Sequence, residues 1–181
     1  MLILVVWVGI VYLLRPAYIK PDTSDWHTGD IFFSVGDSWE SVAVRALTGV
    51  LDFSISDSTP SHCGLVVRDS SGTVRIAHAS TLKKKIVLED PEEYLINNGS
   101  YCLFAKKPPY RIDSTALRNT LDSLINAGVP FDFKFDHSES ASLYCSEMVI
   151  TVFELNGIFC FSDLRQQSYI YPKGLLNKCL K

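Results

Sequence analysis

The sequence predicts an α+β domain, and three observations carry that reading. Short apolar stretches bounded by turn residues recur at 29–35, 61–67 and 73–79, the last two joined by the turn signal Asp69-Ser70-Ser71-Gly72. An amphipathic helix opens at Asp113-Ser114, with Leu117, Leu121, Leu124 and Ile125 on one face and Gly128 and Pro130 at its end. A second helical pattern starts near Cys145, runs through Met148, Val149, Val152, Phe153 and Leu155, and stops at Asn156-Gly157.

The chain has 181 residues, 47% hydrophobic and 20% charged, as one compact domain with a terminal extension should be. Its net charge is −3 and no basic stripe appears, which argues against a nucleic-acid partner.

Residues 1–14 are apolar throughout. As a helix they reach only ~21 Å, against a hydrocarbon core of about 30 Å. The length suits a signal-peptide core, but no basic end precedes it and no small-residue cleavage site follows. We read it as a short membrane tether or uncleaved export signal, placing the domain membrane-anchored or exported at a bacterial cell envelope. A start site further upstream would explain the missing basic end. A buried helix or strand is the competing reading. Residues 15–28, with Pro16, Pro21 and several Asp and Ser, read as a linker, with Trp26 packing back on the domain edge. The domain then occupies 29–181.

Within it, 29–35 is the first strand, and Ser38-Trp39-Glu40 opens a short helix ended by Gly49. A polar connection covers 51–60. Strands at 61–67 and 73–79 form a hairpin, and if Val67 faces Thr73, His62 lies directly across from His78 on one face. Lys84 to Leu88 is a further strand, with Lys83 to Lys85 as a solvated edge. A helix at 91–97 and a strand at 101–106 follow. In 131–136 Phe and charged residues alternate, which fits a strand or an extended approach to Cys145. A Leu-rich tail closes the chain.

Cys145 carries the chemistry. At a helix start, unpaired N–H groups and the positive end of the dipole favour its thiolate, the form that attacks carbonyls. A half-buried structural cysteine is the bland alternative. Acyl transfer needs in addition a base, a group orienting that base, and donors for the oxyanion. His62 and His78 on one hairpin face supply the first two, and the Cys145 N–H is a natural oxyanion donor. His137, close in sequence to Cys145, is the rival base; His27 lies in the linker. The five cysteines show no metal-binding spacing.

Taken together, G-D-I-F-F (29–33), S-H-C-G-L-V-V (61–67), I-A-H-A (76–79), F-D-F-K-F-D (131–136), Y-C-S-E-M-V (144–149) and Y-P-K-G-L (171–175) resemble the circularly permuted papain-like enzymes of the NlpC-like superfamily, YiiX-type branch. The resemblance covers the chain from about Gly29 to near its end. It implies an antiparallel, partly barrel-like sheet packed against helices, Cys145 as nucleophile, His62 as general base and His78 in the third position. Many members of that branch carry Glu there, and the related lecithin:retinol acyltransferase-like proteins carry His. A neutral imidazole orients its partner less strongly than a carboxylate. Glu147 and Tyr144 belong to the matched block, Glu147 as support or dipole partner, Tyr144 as an oxyanion or packing residue.

The resulting expectation is a cysteine hydrolase of amide or ester bonds that needs no cofactor. Its substrate would be a peptidoglycan-derived peptide or an acyl amide or lipid. A membrane-tethered, non-catalytic binding module of the same fold is the alternative. A redox thiol protein is a third, weakened because no resolving cysteine lies near Cys145 in sequence.

Overall fold

The computed structural model describes residues 20–36, 38, 41, 43–44, 59–136 and 141–180. The apolar segment 1–14, most of the helix expected after Ser38, the connection 51–58 and His137 lie outside the described residues. Among the described residues no helix is long and apolar enough to cross a membrane.

The apolar stretches read as strands between 29 and 106 become strands of one antiparallel sheet: β1 (Ile31–Gly36), β2 (His62–Arg68), β3 (Val74–Ser80), β4 (Lys85–Glu89) and β5 (Ser100–Lys106). Their order is β4-β3-β2-β1-β5. The sheet is open, with β4 and β5 as its edges, so the closure a barrel would need is not present. Among the described residues three helices follow the expected starts, α1 (Pro91–Asn97), α2 (Ser114–Asn126) and α3 (Cys145–Leu155), and a further one is α4 (Pro172–Cys179). The tail, read only as Leu-rich, forms α4 after a 3-10 turn at Ser162–Gln166. Asp113 caps α2 as its sequence position requires, accepting the N–H groups of Thr115 at 3.0 Å and Ala116 at 2.8 Å. Such a cap contributes about 1 kcal/mol.

Strand alternation divides the domain into two apolar layers. Ile31, Phe33, Cys63, Leu65, Ala77 and Ile86 point to one face and meet Leu117 and Leu121 of α2 and Met148, Val149 and Val152 of α3. Phe32, Val66, Ile76 and Leu103 point to the other and pack with Tyr94 and Leu95 of α1 and with Trp26. Trp26 thus does pack back on the domain, as its place in the linker suggested.

The hairpin register corrects one expectation. Val67 faces Arg75, not Thr73, and Arg68 faces Val74. Asp69 accounts for the difference: its Oδ1 accepts from Ser71 N at 2.8 Å and Thr73 N at 3.0 Å, and Gly72 takes φ +87°, so the loop closes one residue later on each strand. The shift is two residues in pairing, an even number, so His62 and His78 keep a common face but sit diagonally. Continued along the strands, this register sets Gly64 beside His78. A Cβ on Gly64 would lie 2.3 Å from the Ala77 carbonyl oxygen, 2.5 Å from the Phe32 ring and 3.0 Å from the His78 Cβ, so only glycine lets these groups close in.

Residues 131–136 form neither a continuous strand nor a row with one buried face. Phe131 pairs once with Leu143, and Phe135 turns into the left-handed region at φ +55°. Buried Asp132 drives the turn, accepting from Lys134 N at 2.7 Å and Asp136 N at 2.6 Å. Phe131 is buried, while Phe133 and Phe135 are exposed.

Candidate active site

Cys145 is the first residue of α3, with Tyr144 in extended conformation as N-cap and no side chain capping the first turn. The N–H groups of that turn are therefore directed past the sulfur, the arrangement that favours an anion. The Cys145 side chain is only 8% exposed, enough for a reactive edge and too little for full hydration.

His62 opens β2, and its place at the strand end resolves a conflict. Alternation puts His62 on the α1 face and Cys63 on the α3 face. Because His62 is the terminal residue of β2, its ring stands at the end of the sheet, where its charge is, after the Cys63 thiol, the group that most lowers the Cys145 pKa. Behind it, His62 Nε2 lies 3.1 Å from His78 Nδ1, and His78 Nε2 lies 3.0 Å from Glu89 Oε2. Lys83 Nζ lies 3.0 Å from Glu89 Oε1. Phe32 and Tyr94 box the two imidazoles; the Tyr94 ring centroid is 4.9 Å from that of His78 and 5.9 Å from that of His62. Tyr94 is itself fixed by its hydroxyl, 2.6 Å from Ser34 Oγ.

The tautomers follow from the far end of this chain. The hydrogen bond from His78, joined by Lys83, holds the Glu89 carboxyl down at about 2, against the desolvation that opposes it. Glu89 is therefore an acceptor, and His78 Nε2–H donates to it. Burial lowers the His78 pKa and keeps that ring neutral, which leaves Nδ1 as an acceptor. His62 Nε2–H donates to it. The nitrogen of His62 left for the sulfur is Nδ1, with its lone pair free to take a proton.

Two thiols meet at the helix start. Ser146 Oγ lies 3.5 Å from Cys63 Sγ and 3.8 Å from Cys145 Sγ. The neighbouring Cys63 thiol and, after it, the charge of His62 hold the Cys145 pKa well below the ordinary thiol range despite burial. Burial pushes the Cys63 thiol the opposite way, so Cys63 remains the donor. The cluster thus favours the thiolate at Cys145, while Cys63 keeps its own proton.

Tyr144 and Glu147 flank the site. The buried Tyr144 hydroxyl accepts from Ile170 N at 3.2 Å, tying the C-terminal segment to the start of α3. Glu147 lies in the first turn of α3, is 1% exposed, and has Oε1 at 3.5 Å from Arg165 Nη1. Its Oε2 has no hydrogen-bond partner among the described residues. Burial raises its carboxyl to about 7. A folded-state pKa above the unfolded value of about 4.3 means the folded protein holds the extra proton between those values. Glu147 therefore favours folding least above pH 7. Glu147→Gln is expected to raise thermal stability at pH 8 by roughly 1–2 kcal/mol, less than the full shift because the Arg165 contact is weakened. At pH 5 the gain should vanish, a difference that calorimetry at the two pH values reads directly.

His62, His78 and Cys145 are brought into one site; His27 is not among them, since its ring lies 3.8 Å from Asp30 beside the start of β1. Sequence reading overlooked Glu89, Lys83 and Cys63. Glu89 was within reach of pattern reasoning: His78 faces Val87, so a strand extended one residue past Leu88 puts Glu89 on the same face. Cys63 follows His62 and by alternation must face the α3 layer.

No protein-family model matches the chain, and no curated protein matches it. Among solved structures it is similar to the metalloprotein YiiX from Escherichia coli O157:H7 (DUF1105), with a TM-score of 0.62 at 16% identity, over 83% of this chain and 92% of that one. At that identity the likeness establishes a YiiX-like fold and no more. As to a metal, among the described residues no group of three or more His, Cys, Asp or Glu side chains converges as a cage would. His62 and His78 direct nitrogens at each other at 3.1 Å, not at a shared point, so these donors do not fit a metal ion.

Proposed function

We propose that this protein is a cysteine-dependent hydrolase of amide or ester bonds, built on a permuted papain-like version of the YiiX-like fold. The observation that carries the reading is the relay His62–His78–Glu89, whose two hydrogen bonds measure 3.1 and 3.0 Å, together with a Cys145 thiol at a helix start whose pKa the neighbouring Cys63 and His62 lower. His62 Nδ1 takes the Cys145 proton, and the thiolate attacks the substrate carbonyl carbon. The resulting oxyanion is met by the Cys145 N–H. His62 returns its proton to the leaving amine or alcohol, and a thioester remains on Cys145. Water, deprotonated by His62, then attacks the thioester, the acid leaves, and the proton passes back to the sulfur. His78 holds His62 in register, and the Glu89 charge stabilises the imidazolium through the neutral His78. No step runs through a metal.

The rim favours an acyl amide or lipid over a peptidoglycan-derived peptide. Phe135 packs on Tyr144 with ring centroids 5.4 Å apart, and Phe133 stays 58% exposed nearby. An apolar chain suits those exposed phenyl rings beside the start of α3. The apolar segment 1–14 suits the same reading, by keeping the domain at a membrane.

The test is labelling of the purified protein with a thiol-directed acyl probe, followed by hydrolysis assays on acyl amides and peptidoglycan fragments. Cys145→Ala is expected to abolish labelling, whereas Cys63→Ala still labels. Equal labelling of both variants would remove Cys145 as the nucleophile. Turnover of peptidoglycan fragments but not acyl amides would reverse the substrate assignment and keep the chemistry.

A further inference from the structure

Cys63 plays no covalent part in hydrolysis, yet it is fully buried against the nucleophile. The fold fixes that proximity twice. β2 alternation sends Cys63 to the α3 face, and the first turn of α3 brings Cys145 and Ser146 down onto it. A single hydroxyl, Ser146 Oγ, stands 3.5 Å from one sulfur and 3.8 Å from the other. Both thiols are free. Cys145, which keeps 8% of its surface exposed, is the candidate nucleophile, and Cys63, fully enclosed, is a thiol on the same Ser146 hydroxyl.

We infer that Cys63 is a resolving cysteine: when Cys145 meets a hydroperoxide, the two residues form a reversible intramolecular disulfide. In the first step the Cys145 thiolate attacks the terminal oxygen of the hydroperoxide. The O–O bond breaks, and the departing alkoxide or hydroxide takes a proton from protonated His62, leaving Cys145 as a sulfenic acid. In the second step the Cys63 sulfur attacks the Cys145 sulfur, the S–O bond breaks, and the departing hydroxyl leaves as water with the Cys63 proton. Ser146 Oγ, within reach of both sulfurs, is placed to pass that proton. The balance is two thiols oxidised to one disulfide and one hydroperoxide reduced to an alcohol, or water, plus water.

The disulfide stores the nucleophile in a form that thiols restore. Without Cys63, the sulfenic acid at Cys145 stands open to further peroxide and to the irreversible sulfinic acid. This inference needs the thiol pair and its neighbours alone; it does not depend on which acyl substrate, if any, the protein hydrolyses.

The experiment uses the full chain, reduced and then treated with hydrogen peroxide at a small molar excess, and reads intact mass and peptide maps. The expected result is the loss of two hydrogens, a Cys63–Cys145 cross-linked peptide, and full reversal by dithiothreitol. Cys63→Ser is expected to gain oxygen at Cys145 in a form dithiothreitol does not remove. Cys145→Ser is expected to leave Cys63 reduced. Oxygen added to wild-type Cys145 with Cys63 still free would overturn the inference, as would cross-linking of Cys145 to Cys102, Cys160 or Cys179, or no reaction of either residue under conditions that oxidise free glutathione. Hydrolysis by the reduced protein is assayed separately, so a failed hydrolase reading and a failed disulfide are distinguishable.

Discussion

His62→Ala is expected to lower kcat/KM for ester or amide hydrolysis on the order of 10³-fold while leaving the fold in place. His62 is half-buried at the first position of β2, where its backbone pairs with Ser34 on β1 whatever side chain it carries. The apolar layers on both faces do not include it. Removing the ring takes away the proton acceptor for Cys145, the donor for the leaving group and the base for water, three roles in one residue. It also takes away the positive charge that holds the Cys145 sulfur ionised. The variant should therefore recover part of its rate as pH rises and hydroxide replaces the base, so its pH profile climbs where the wild type is flat. A loss smaller than tenfold, with an unchanged profile, would mean that His62 is not the base.

The second large effect is expected at Glu89. Glu89→Ala leaves the fully buried His78 Nε2–H without an acceptor and frees Lys83 to solvent. The cost follows two ways. A lost hydrogen bond to a charged group with its partner left unsatisfied costs about 3 kcal/mol. The depression of the carboxyl from its ordinary value to about 2 corresponds to a similar ~3 kcal/mol at neutral pH. The sign is that of a depressed carboxyl: the contribution is complete above about pH 4.5 and is lost as pH falls toward 2. His78, held neutral by burial, acts in the same direction from about pH 6.5 downward, because the unfolded chain takes the proton first. Wild-type stability is thus expected to fall on acidification in two stages, and Glu89→Ala should lack the lower one. Urea titrations at stepped pH read both.

Activity separates positioning from mere support. Glu89→Gln keeps an acceptor oxygen for His78 and should regain most of the stability. It lacks the charge that stabilises the His62 imidazolium, so kcat should stay down by roughly tenfold to a hundredfold with KM little changed. If Gln restores both stability and kcat, Glu89 serves only the fold.

The elements that were legible in the sequence are those set by local chemistry. Asp113 announces α2 because a short carboxylate before an apolar period can only satisfy the first N–H groups of a helix. Cys145 could be placed at a helix start because the apolar period begins with it and Asn156-Gly157 ends it. The shared face of His62 and His78 survived because the actual register differs by an even number of residues. The register itself did not, since Asp69 and Gly72 set the loop by hydrogen bonds and a left-handed φ that composition does not specify. Glu89 escaped notice because β4 runs one residue further than its apolar stretch, and only strand pairing reveals that it stands behind His78. The turn at 131–136 depends on Asp132, a buried carboxylate whose N–H partners follow it in the chain, and alternation alone reads as a strand.

A thiolate at Cys145, favoured by the Cys63 thiol and by the ring at His62, is the central claim. The direct measurement is the rate of alkylation of Cys145 by iodoacetamide as a function of pH, resolved from Cys63 by peptide mass spectrometry, in wild type and His62→Ala. The prediction is rapid wild-type alkylation that persists well below the ordinary thiol pKa of about 8.5, and a variant whose reactivity curve is displaced upward toward that value. Superimposable curves for the two proteins, both rising only in the ordinary thiol range, would contradict it.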